Sequence, residues 1–334
     1  MKTLRGNAPF WRYGDSTRRM RGDLLLSCAL LLIPQAVRFG LRPLLLTLAA
    51  GLIGVLTELI CCLIYRREAA VTDLDSFAIG VLIAMLMPAN VVIYVPAAAV
   101  FFAVAVAKMP FGGTGRAPLH PVAAGMAFAI LCFPDQVFLY ADVSAGMMDP
   151  NIFVTAEVSA ALSPTALLKV GARPELLKPE LMAGTVVGPI GTTVTFVTAA
   201  AALYLFFRRT ASPRITICWM LAACLIAGVA PRVSTGQIDS IMIELSTGSL
   251  LFYAGFLATD TATAPKLPLA QCIYGFLGGL VTMMFRYNGV YEQGGCFALL
   301  LINATAQMMD RYVWALTHQE RRQKPHASEP SEHS

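Results

Sequence analysis

Four polar residues lie in or next to apolar runs in the last quarter of the chain. Thr259 and Asp260 stand at the end of one run, Glu292 stands in a short turn, and Asn303 lies inside the run that follows. Ionisable and amide groups at membrane depth are costly and usually functional, because hydrocarbon does not solvate them. We therefore predict that these residues belong to an ion path or a polar scaffold. For Asp260, a helix cap or a headgroup contact is the alternative.

A second group of residues has the types that hold an anion. Gly188, Gly191 and Thr192 lie at the start of an earlier apolar run, together with Pro189. Glycines at short spacing are typical of close helix packing. With the proline and threonine, they also suit a helix N-terminus that presents its amides to an anionic group such as a flavin phosphate. Taken alone, the pattern favours packing.

A glycine-rich segment, 111–121, combines Gly112-Gly113-Thr114-Gly115-Arg116 with His120-Pro121. Glycine allows close backbone approach and proline breaks helices. The segment predicts a loop that folds into the start of a half-helix, and a plain cytoplasmic turn is the alternative. The eight cysteines lie in or beside apolar runs without CxxC spacing. They predict buried small apolar side chains, or else a shared iron–sulfur ligand at a subunit contact, and no metal site within the chain.

The elements that position these residues are membrane-spanning helices. The 334 residues are 57% hydrophobic and 13% charged, with a mean hydropathy of +0.65. Soluble domains are about 45–50% apolar and about 25% charged. We therefore expect a multi-pass membrane protein in contact with lipid and without a cleavable signal peptide. Its net charge of +5 concerns topology and does not indicate nucleic-acid binding.

Apolar runs long enough to cross a bilayer recur along the chain. Because backbone polar groups must be satisfied internally in lipid, these runs predict helices. The ten predicted spans are 23–39, 43–65, 74–88, 91–108, 119–133, 184–207, 213–230, 241–258, 268–286 and 294–312. The pair 74–108 is alternatively one hairpin with a partly re-entrant limb.

The basic residues test this number of spans. With the N-terminus in the cytoplasm, 18 of the 25 Lys and Arg residues fall in inside segments and 7 fall outside. Cytoplasmic segments carry an excess of Lys and Arg. The distribution therefore favours ten spans, with both termini in the cytoplasm.

A long hydrophilic stretch divides the chain into two halves of five spans. The predicted parts are a basic N-terminus (1–22), a first half (23–133), an outside loop (134–183), a second half (184–312) and a disordered cytoplasmic tail (313–334). An odd number of spans in each half makes the halves run in opposite directions through the membrane. The fold class is thus all-α integral membrane, as two inverted five-helix repeats, which place polar sites at broken helices.

Several sequence blocks in fixed order resemble one family. They are Phe256 to Pro265, Ile273-Tyr274-Gly275, Arg286 to Gly294 and Phe297 to Ala304. On this basis the chain resembles the D subunit of the Rnf electron-transport complex and the B subunit of the sodium-pumping quinone reductase. It lacks the long N-terminal extension of the latter, so the Rnf type is favoured.

The resemblance implies a subunit in the bacterial cytoplasmic membrane, with a urea-transporter-like fold and with other Rnf subunits as partners. It implies electron transfer between ferredoxin and NAD coupled to movement of Na⁺ or H⁺. It also implies FMN bound through a phosphoester to a threonine in an outside loop, which places it at Thr165. Of the family's acceptor pattern Asp-x-x-Ser-Gly-Ala-Thr, the chain keeps only that threonine; the other positions hold Ser159, Leu162, Ser163 and Pro164.

Three hypotheses follow. In the first, FMN on Thr165 passes electrons and the scaffold moves an ion. In the second, the chain is a flavin-free scaffold in an Rnf-like assembly, with Asp260, Asn303 and Glu292 along an ion path. In the third, it is a stand-alone transporter that uses the inverted repeat for a solute.

Overall fold

The computed structural model describes residues 17–66, 74–142, 146–156, 160–172, 187–232 and 236–323. Within these ranges the protein is helical, apart from one antiparallel strand pair and the connecting segments. The helices are α1 Thr17–Phe39, α2 Arg42–Tyr65, α3 Asp75–Met85, α4 Tyr94–Phe101, α5 Pro121–Cys132, α6 Pro134–Val137, α7 Pro164–Lys169, α8 Thr195–Phe207, α9 Pro213–Val229, α10 Gln237–Ser246, α11 Leu250–Phe252, α12 Pro268–Asn288 and α13 Gly295–Gln323.

Two helices change their winding. Helix α4 continues as a π-helix, Phe102–Lys108, and then as a 3₁₀ turn, Met109–Phe111, while α11 continues as a π-helix, Tyr253–Leu257. The strands β1 Tyr140–Ala141 and β2 Ala160–Ala161 pair with Tyr140 opposite Ala161. π-Helical turns are rare and frequently occur at functional sites.

The helices begin where the sequence allows the chain to turn. Helices α2, α5, α9 and α12 each carry a proline in the first turn, where the missing amide hydrogen costs nothing. Small residues then allow close helix contacts: a side chain at Gly80 of α3 would overlap the Ala50 carbonyl of α2. On α12, a side chain at Gly278 would overlap the Trp219 ring of α9. Such small-residue contacts are typical of packed membrane helices.

Several helices have the length and composition of membrane spans. Among the described residues, four pass this test: Thr17–Phe39, Arg42–Tyr65, Tyr94–Phe111 and Pro268–Asn288. A fifth passes if Gln237–Ser246 and Leu250–Leu257, which meet at 65°, are one bent span. Helices α3, α5, α8 and α9 are shorter apolar helices of 10–17 residues. The protein is therefore an all-α membrane protein, and the number of ten spans stays a prediction.

Two predicted helix boundaries are wrong. The predicted span 241–258 is broken at Thr247–Ser249, because Gly248 takes a left-handed φ of 68° and the Thr247 carbonyl accepts a hydrogen bond from Arg286. In the predicted span 184–207, the described residues 187–194 are not helical and the helix begins at Thr195. Its preceding residues run beside the end of α3, where the Ile190 and Gly191 amides bond to the Met87 and Met85 carbonyls at 3.0 and 2.7 Å.

The last helix is longer than predicted. Helix α13 continues to Gln323, so the predicted disorder of the tail is wrong for 313–323. Residues 307–323 are rich in Gln, Arg and Met, which favour helix over coil even outside lipid. The rest of the predicted tail and most of the predicted N-terminal segment lie outside the described residues.

The centre of the bundle is closed by large apolar side chains. Met85 and Met87 lie at the end of α3 and just after it, while Phe252 and Phe256 stack at 4.6 Å between ring centres. All four are at most 1% exposed. Gly191 fits against this group, because a Cβ there would lie 2.9 Å from the Phe252 ring. An apolar barrier therefore separates the two ends of the bundle.

Candidate functional site

The two ends of the bundle carry different polar clusters. We call the end that holds Arg21, Asp75, Lys108, His120 and Asp260 the Arg21 face. The opposite end, which begins at the first turn of α2, is called the Arg42 face. The site that combines buried charge with a cavity lies on the Arg21 face.

Arg21 of α1 bridges two carboxylates from different parts of the chain. Its Nε atom lies 2.7 Å from Asp75 Oδ1, and its Nη1 atom lies 3.3 Å from Asp260 Oδ1. The two carboxylate side chains are only 5% and 7% exposed. Because an unpaired buried charge is costly, this pairing holds α1, α3 and the segment after α11 together.

Lys108 extends the cluster into the interior. Its ammonium group is 1% exposed and lies 2.9 Å from Asp75 Oδ2 and 3.3 Å from Glu58 Oε1. It also donates a hydrogen bond of 2.8 Å to Ser76 Oγ. Thr114, from the glycine-rich segment, donates to Asp75 at 3.1 Å. The chain of charges thus runs from Asp260 through Arg21 and Asp75 to Glu58.

His120 contacts the same cluster from the N-cap of α5. Its Nε2 atom lies 3.6 Å from Asp260 Oδ2, while Nδ1 is buried without a hydrogen-bond partner among the described residues. Counting Arg21 and Lys108 against Asp75, Asp260 and Glu58, the buried cluster has one surplus negative charge when His120 is neutral. A proton on His120 would balance that charge.

The two π-helical segments position residues of the charged cluster on the Arg21 face. Lys108 is the last residue of the first, and Asp260 follows the end of the second by three residues. A π-turn rotates the residues after it relative to an α-helix, so it re-aims side chains that α-helical spacing would place elsewhere. The predicted half-helix start is also present, since α5 begins at Pro121 directly after the glycine-rich segment.

A cavity of about 360 Å³ opens beside this cluster. Its walls include Arg21, Thr114, Thr259, Asp260 and Lys266, with Phe256 among its apolar residues. The Lys266 side chain is exposed. The lining is mixed, with charged and hydroxyl groups among apolar side chains. A cavity of this volume with such groups holds several water molecules, so a hydrated ion can approach Asp260 from this face.

The structure brings together three of the four predicted polar-path residues. Thr259 lines the cavity next to Asp260 and donates to the Gly255 carbonyl at 2.8 Å. Asn303 accepts a hydrogen bond from the Tyr274 hydroxyl, and Tyr274 lies within electrostatic range of Asp260. In the part of the chain that the structure describes, the buried Asn303 amide nitrogen has no partner. Asp260, Tyr274 and Asn303 therefore form a polar line into the bundle.

Glu292 lies apart from this line, on the Arg42 face, where it contacts Thr165. Ser163 Oγ donates to Glu292 Oε2, and Thr165 Oγ1 lies 3.2 Å from the same oxygen. Ser163 and Thr165 are 2.8 Å apart. Burial raises the pKa of Glu292, and the hydrogen bonds from these hydroxyls oppose that rise.

Thr165 does not fit the phosphoester that the resemblance implies. The residue is 2% exposed, and its hydroxyl already contacts Ser163 and the Glu292 carboxyl. A phosphoryl group on Oγ1 would bring further negative charge against that carboxyl in a buried place.

The predicted phosphate-holding glycines pack instead against the centre of the bundle. The Gly191 amide bonds to Met85, and Thr192 Oγ1 donates to the Pro189 carbonyl at 3.3 Å. Gly188 lines a small cavity with Gln35 and Thr193. Helix α8 begins only after this segment, so the amide of Gly191 is not at a helix N-terminus. The close-packing alternative describes Gly191 best.

A family comparison decides the identity of the chain. The model of the NQR2, RnfD, RnfE family matches residues 5–317. The chain belongs to this family. Both polar clusters and all the helices described above fall within the matched residues, apart from the last turns of α13.

Named relatives in this family span nearly the same length. One is the D subunit of the Na⁺-translocating ferredoxin:NAD⁺ oxidoreductase complex of Acetobacterium woodii, 28% identical over 92% of each chain. Another is the D subunit of the proton-translocating complex of Clostridium ljungdahlii, 26% identical over 87% of this chain and 89% of the relative. The D subunit of the ion-translocating oxidoreductase complex of Yersinia pseudotuberculosis is 24% identical over 92% and 95%.

Sequence reasoning misses most of the charged cluster in this family member. It places Arg21 and Lys108 only in the cytoplasmic charge count, and it does not single out Asp75 and Glu58. The available signal is their position: Glu58 and Asp75 are carboxylates inside predicted apolar spans, which membrane proteins rarely keep without a partner. Their pairing with Lys108 depends on a π-helix that apolar periodicity does not reveal.

Proposed function

We propose that the chain is the D-type membrane subunit of an Rnf-type complex that couples electron transfer between ferredoxin and NAD to movement of Na⁺ or H⁺. The names of three family relatives, each matched over nearly its whole length, support this proposal. Its partners are then the other subunits of the complex and the surrounding lipid. The chain is not an enzyme alone.

The cluster at Asp260 is the observation that supports an ion path through this subunit. Its carboxylate pairs with Arg21, lies beside His120 and lines the cavity on the Arg21 face. With one surplus negative charge, the cluster attracts a cation or a proton. The apolar barrier behind it prevents continuous leakage, as an ion-coupled subunit requires. Asp260, with Thr259 and Asn303 behind it, forms the entry of the path.

The proposed topology has ten spans in two inverted halves, with the Arg21 face in the cytoplasm of a bacterium and both termini there. A matching pair of contacts supports the inverted repeat. On the Arg21 face, Lys108 at the end of the α4 segment pairs with Asp75 of α3. On the Arg42 face, Arg286 near the end of α12 pairs with Glu244 of α10 at 3.1 Å. Each half thus ends its fourth span with a buried cation.

The test compares ion movement with electron transfer in vesicles that hold the whole complex. Asp260→Asn is expected to leave the complex assembled and to abolish uptake of sodium and of protons driven by ferredoxin oxidation. Asp135→Asn, an exposed carboxylate on the Arg42 face, is the matched control and is expected to behave as the wild type. Unchanged ion uptake per electron in the assembled Asp260→Asn complex would refute the path.

A further inference from the structure

We infer that Thr165 serves as a hydrogen-bond donor to Glu292 in a buried latch, and that it is not a phosphoester acceptor in this chain. The latch consists of Tyr140, Ser163, Thr165, Glu292 and Gln293, all on the Arg42 face. Family membership says only which group Thr165 is expected to carry, namely FMN. It stands whether or not Asp260 lies on an ion path.

Three oxygens form the centre of the latch. Ser163 Oγ, Thr165 Oγ1 and Glu292 Oε2 are mutual neighbours, with 2.8 Å between the hydroxyls and 3.2 Å from Thr165 to the carboxyl. Ser163 also caps α7 by accepting from the Ala166 amide at 3.1 Å. The geometry fixes the direction of the Thr165 hydroxyl toward the protein interior.

Packing closes the remaining side of Thr165. Its Cγ2 atom lies 3.1 Å from where a Cβ on Gly248 would stand, so the threonine fits against a residue without a side chain. With 2% of its surface exposed and two hydrogen-bond partners on Oγ1, Thr165 leaves little room for a further group on that oxygen. A phosphoryl group on this oxygen would have to occupy the positions of the Ser163 hydroxyl and the Glu292 carboxyl.

The nearby cations are already used by other groups. Arg286 bonds to Glu244 at 3.1 Å and to the Thr247 carbonyl at 2.5 Å. Lys169 donates to the Val290 carbonyl. An anionic phosphoester beside Glu292 would therefore lack a free partner among these residues, and like charges at this distance repel. The hydroxyl groups of the latch donate hydrogen bonds to one carboxylate, that of Glu292.

The latch connects three parts of the Arg42 face. Glu292 joins α7 to the turn between α12 and α13, and Gln293 donates to the Tyr140 hydroxyl of β1 at 2.6 Å. Ser249, at the break before α11, donates to Gln293 at 3.1 Å. The described part of the loop around Thr165, which is expected to present a cofactor, is instead hydrogen-bonded to the helices.

The first experiment looks for flavin directly. The full chain, with an intact Asp-x-x-Ser-Gly-Ala-Thr pattern appended after Ser334, is purified in detergent so that both faces are accessible. It is incubated with a flavin transferase and with FAD, which donates FMN and releases AMP, and its intact mass and tryptic peptides are measured. We expect one FMN, located on the appended threonine, which also shows that the transferase is active. FMN on the Thr165 peptide would overturn the inference. This outcome is separate from ion uptake by the complex, which tests the proposed function.

The second experiment tests the donor bond itself, through melting temperatures of the purified chain. Thr165→Val and Glu292→Met, which removes both acceptor oxygens, are each expected to lower the melting temperature, and the double variant is expected to lower it by clearly less than the sum. Thr165→Ser keeps the hydroxyl and should restore most of the loss. Thr155→Val, an exposed threonine of the same loop region, is the control. Additive losses, or no rescue by serine, would overturn the latch.

Discussion

Lys108 shows how strongly single side chains on the Arg21 face depend on each other. Its ammonium group is almost fully buried, and it faces two carboxylates and a hydroxyl within 3.3 Å. In water each of these charged groups has its own hydration shell. In the buried cluster, each charged group instead interacts with the oppositely charged group beside it. A buried ion pair is a weak source of stability, but removal of one partner leaves a charge without compensation.

Lys108→Met is therefore expected to destabilise the protein by about 3–5 kcal/mol, the usual cost of breaking a buried ion pair. Thermal or denaturant unfolding in detergent measures the loss. Lys266→Met removes an exposed lysine on the same face and is expected to change stability by less than about 0.5 kcal/mol. Equal losses from the two substitutions would show that Lys108 is not paired in the buried cluster.

Glu292 gives a pH-dependent prediction on the opposite face. Burial raises its pKa above 4.5 in the folded chain, although Ser163, Thr165 and Tyr140 bond to it. Arg286 and Lys169 are the charged groups that act on it. Because the folded state then binds more protons than the unfolded state, the contribution of Glu292 to stability is fully present below about pH 4.5 and is lost as pH rises through the folded pKa.

The measurement is the unfolding free energy of wild type and Glu292→Gln as a function of pH. Glutamine does not titrate, so the variant is expected to lack this decrease above pH 4.5. Asp149→Asn, which changes an exposed carboxylate on the same face, should keep it. The same pH slope in wild type and Glu292→Gln would contradict the assigned burial of the carboxyl.

At the scale of elements, the segment 187–194 and the end of α3 form the apolar barrier together. The amides of Ile190 and Gly191 bond to carbonyls after and at the end of α3, and the Phe252 ring packs against Gly191. This arrangement leaves a short non-helical segment at depth, which lipid does not tolerate but a packed protein interior does. The position of Gly191 is therefore set by packing and not by turn geometry.

Gly191→Ala tests this packing. An added Cβ would lie 2.9 Å from the Phe252 ring and 3.1 Å from the Met85 carbonyl, so overpacking should cost about 1–3 kcal/mol. Gly188→Ala is the matched control, because its Cβ meets only Thr192 Oγ1, at 3.6 Å. Melting temperatures of the two variants give the comparison. If both alanines are tolerated equally, the barrier is not closed as described.

The sequence predicts the helices better than their breaks. Apolar runs and first-turn prolines locate α2, α9 and α12 almost to the residue, because burial in lipid and helix initiation are local properties. The bend at Gly248 depends on a hydrogen bond from Arg286, which is distant in sequence. The π-helical segments before Lys108 and Asp260 likewise depend on tertiary contacts. Local patterns carry no information on either feature.

At the scale of the whole molecule, the candidate site is predictable only in part. Asp260 and Thr259 stand out because they interrupt an apolar pattern, and the structure places them at a cavity. Arg21 and His120 lie more than 100 residues before Asp260 in the sequence. Their contacts with Asp260 therefore cannot be read from a short-range sequence pattern. Glu292 and Thr165 are predicted for different purposes, yet they meet in one cluster. Long-range contacts thus decide how these residues act.

The two faces also differ in their polar surroundings. The Arg21 face combines buried charge with an open cavity, whereas the Arg42 face binds its loop onto the helices through Glu292 and Gln293. In between lies the apolar barrier of Met85, Met87, Phe252 and Phe256. An ion that enters at Asp260 therefore needs a rearrangement of this barrier to proceed, and electron transfer in the assembled complex is the energy source that we propose for it.

The most direct test of this account is ion uptake by membrane vesicles from cells that lack this chain, compared with cells in which it is restored. Reduced ferredoxin and NAD are supplied, and sodium uptake, proton uptake and NADH formation are measured together. We predict that the chain restores uptake of one of the two ions together with NADH formation, and that Asp260→Asn does not restore uptake. Ion uptake coupled to NADH formation at the same level without the chain would contradict the account.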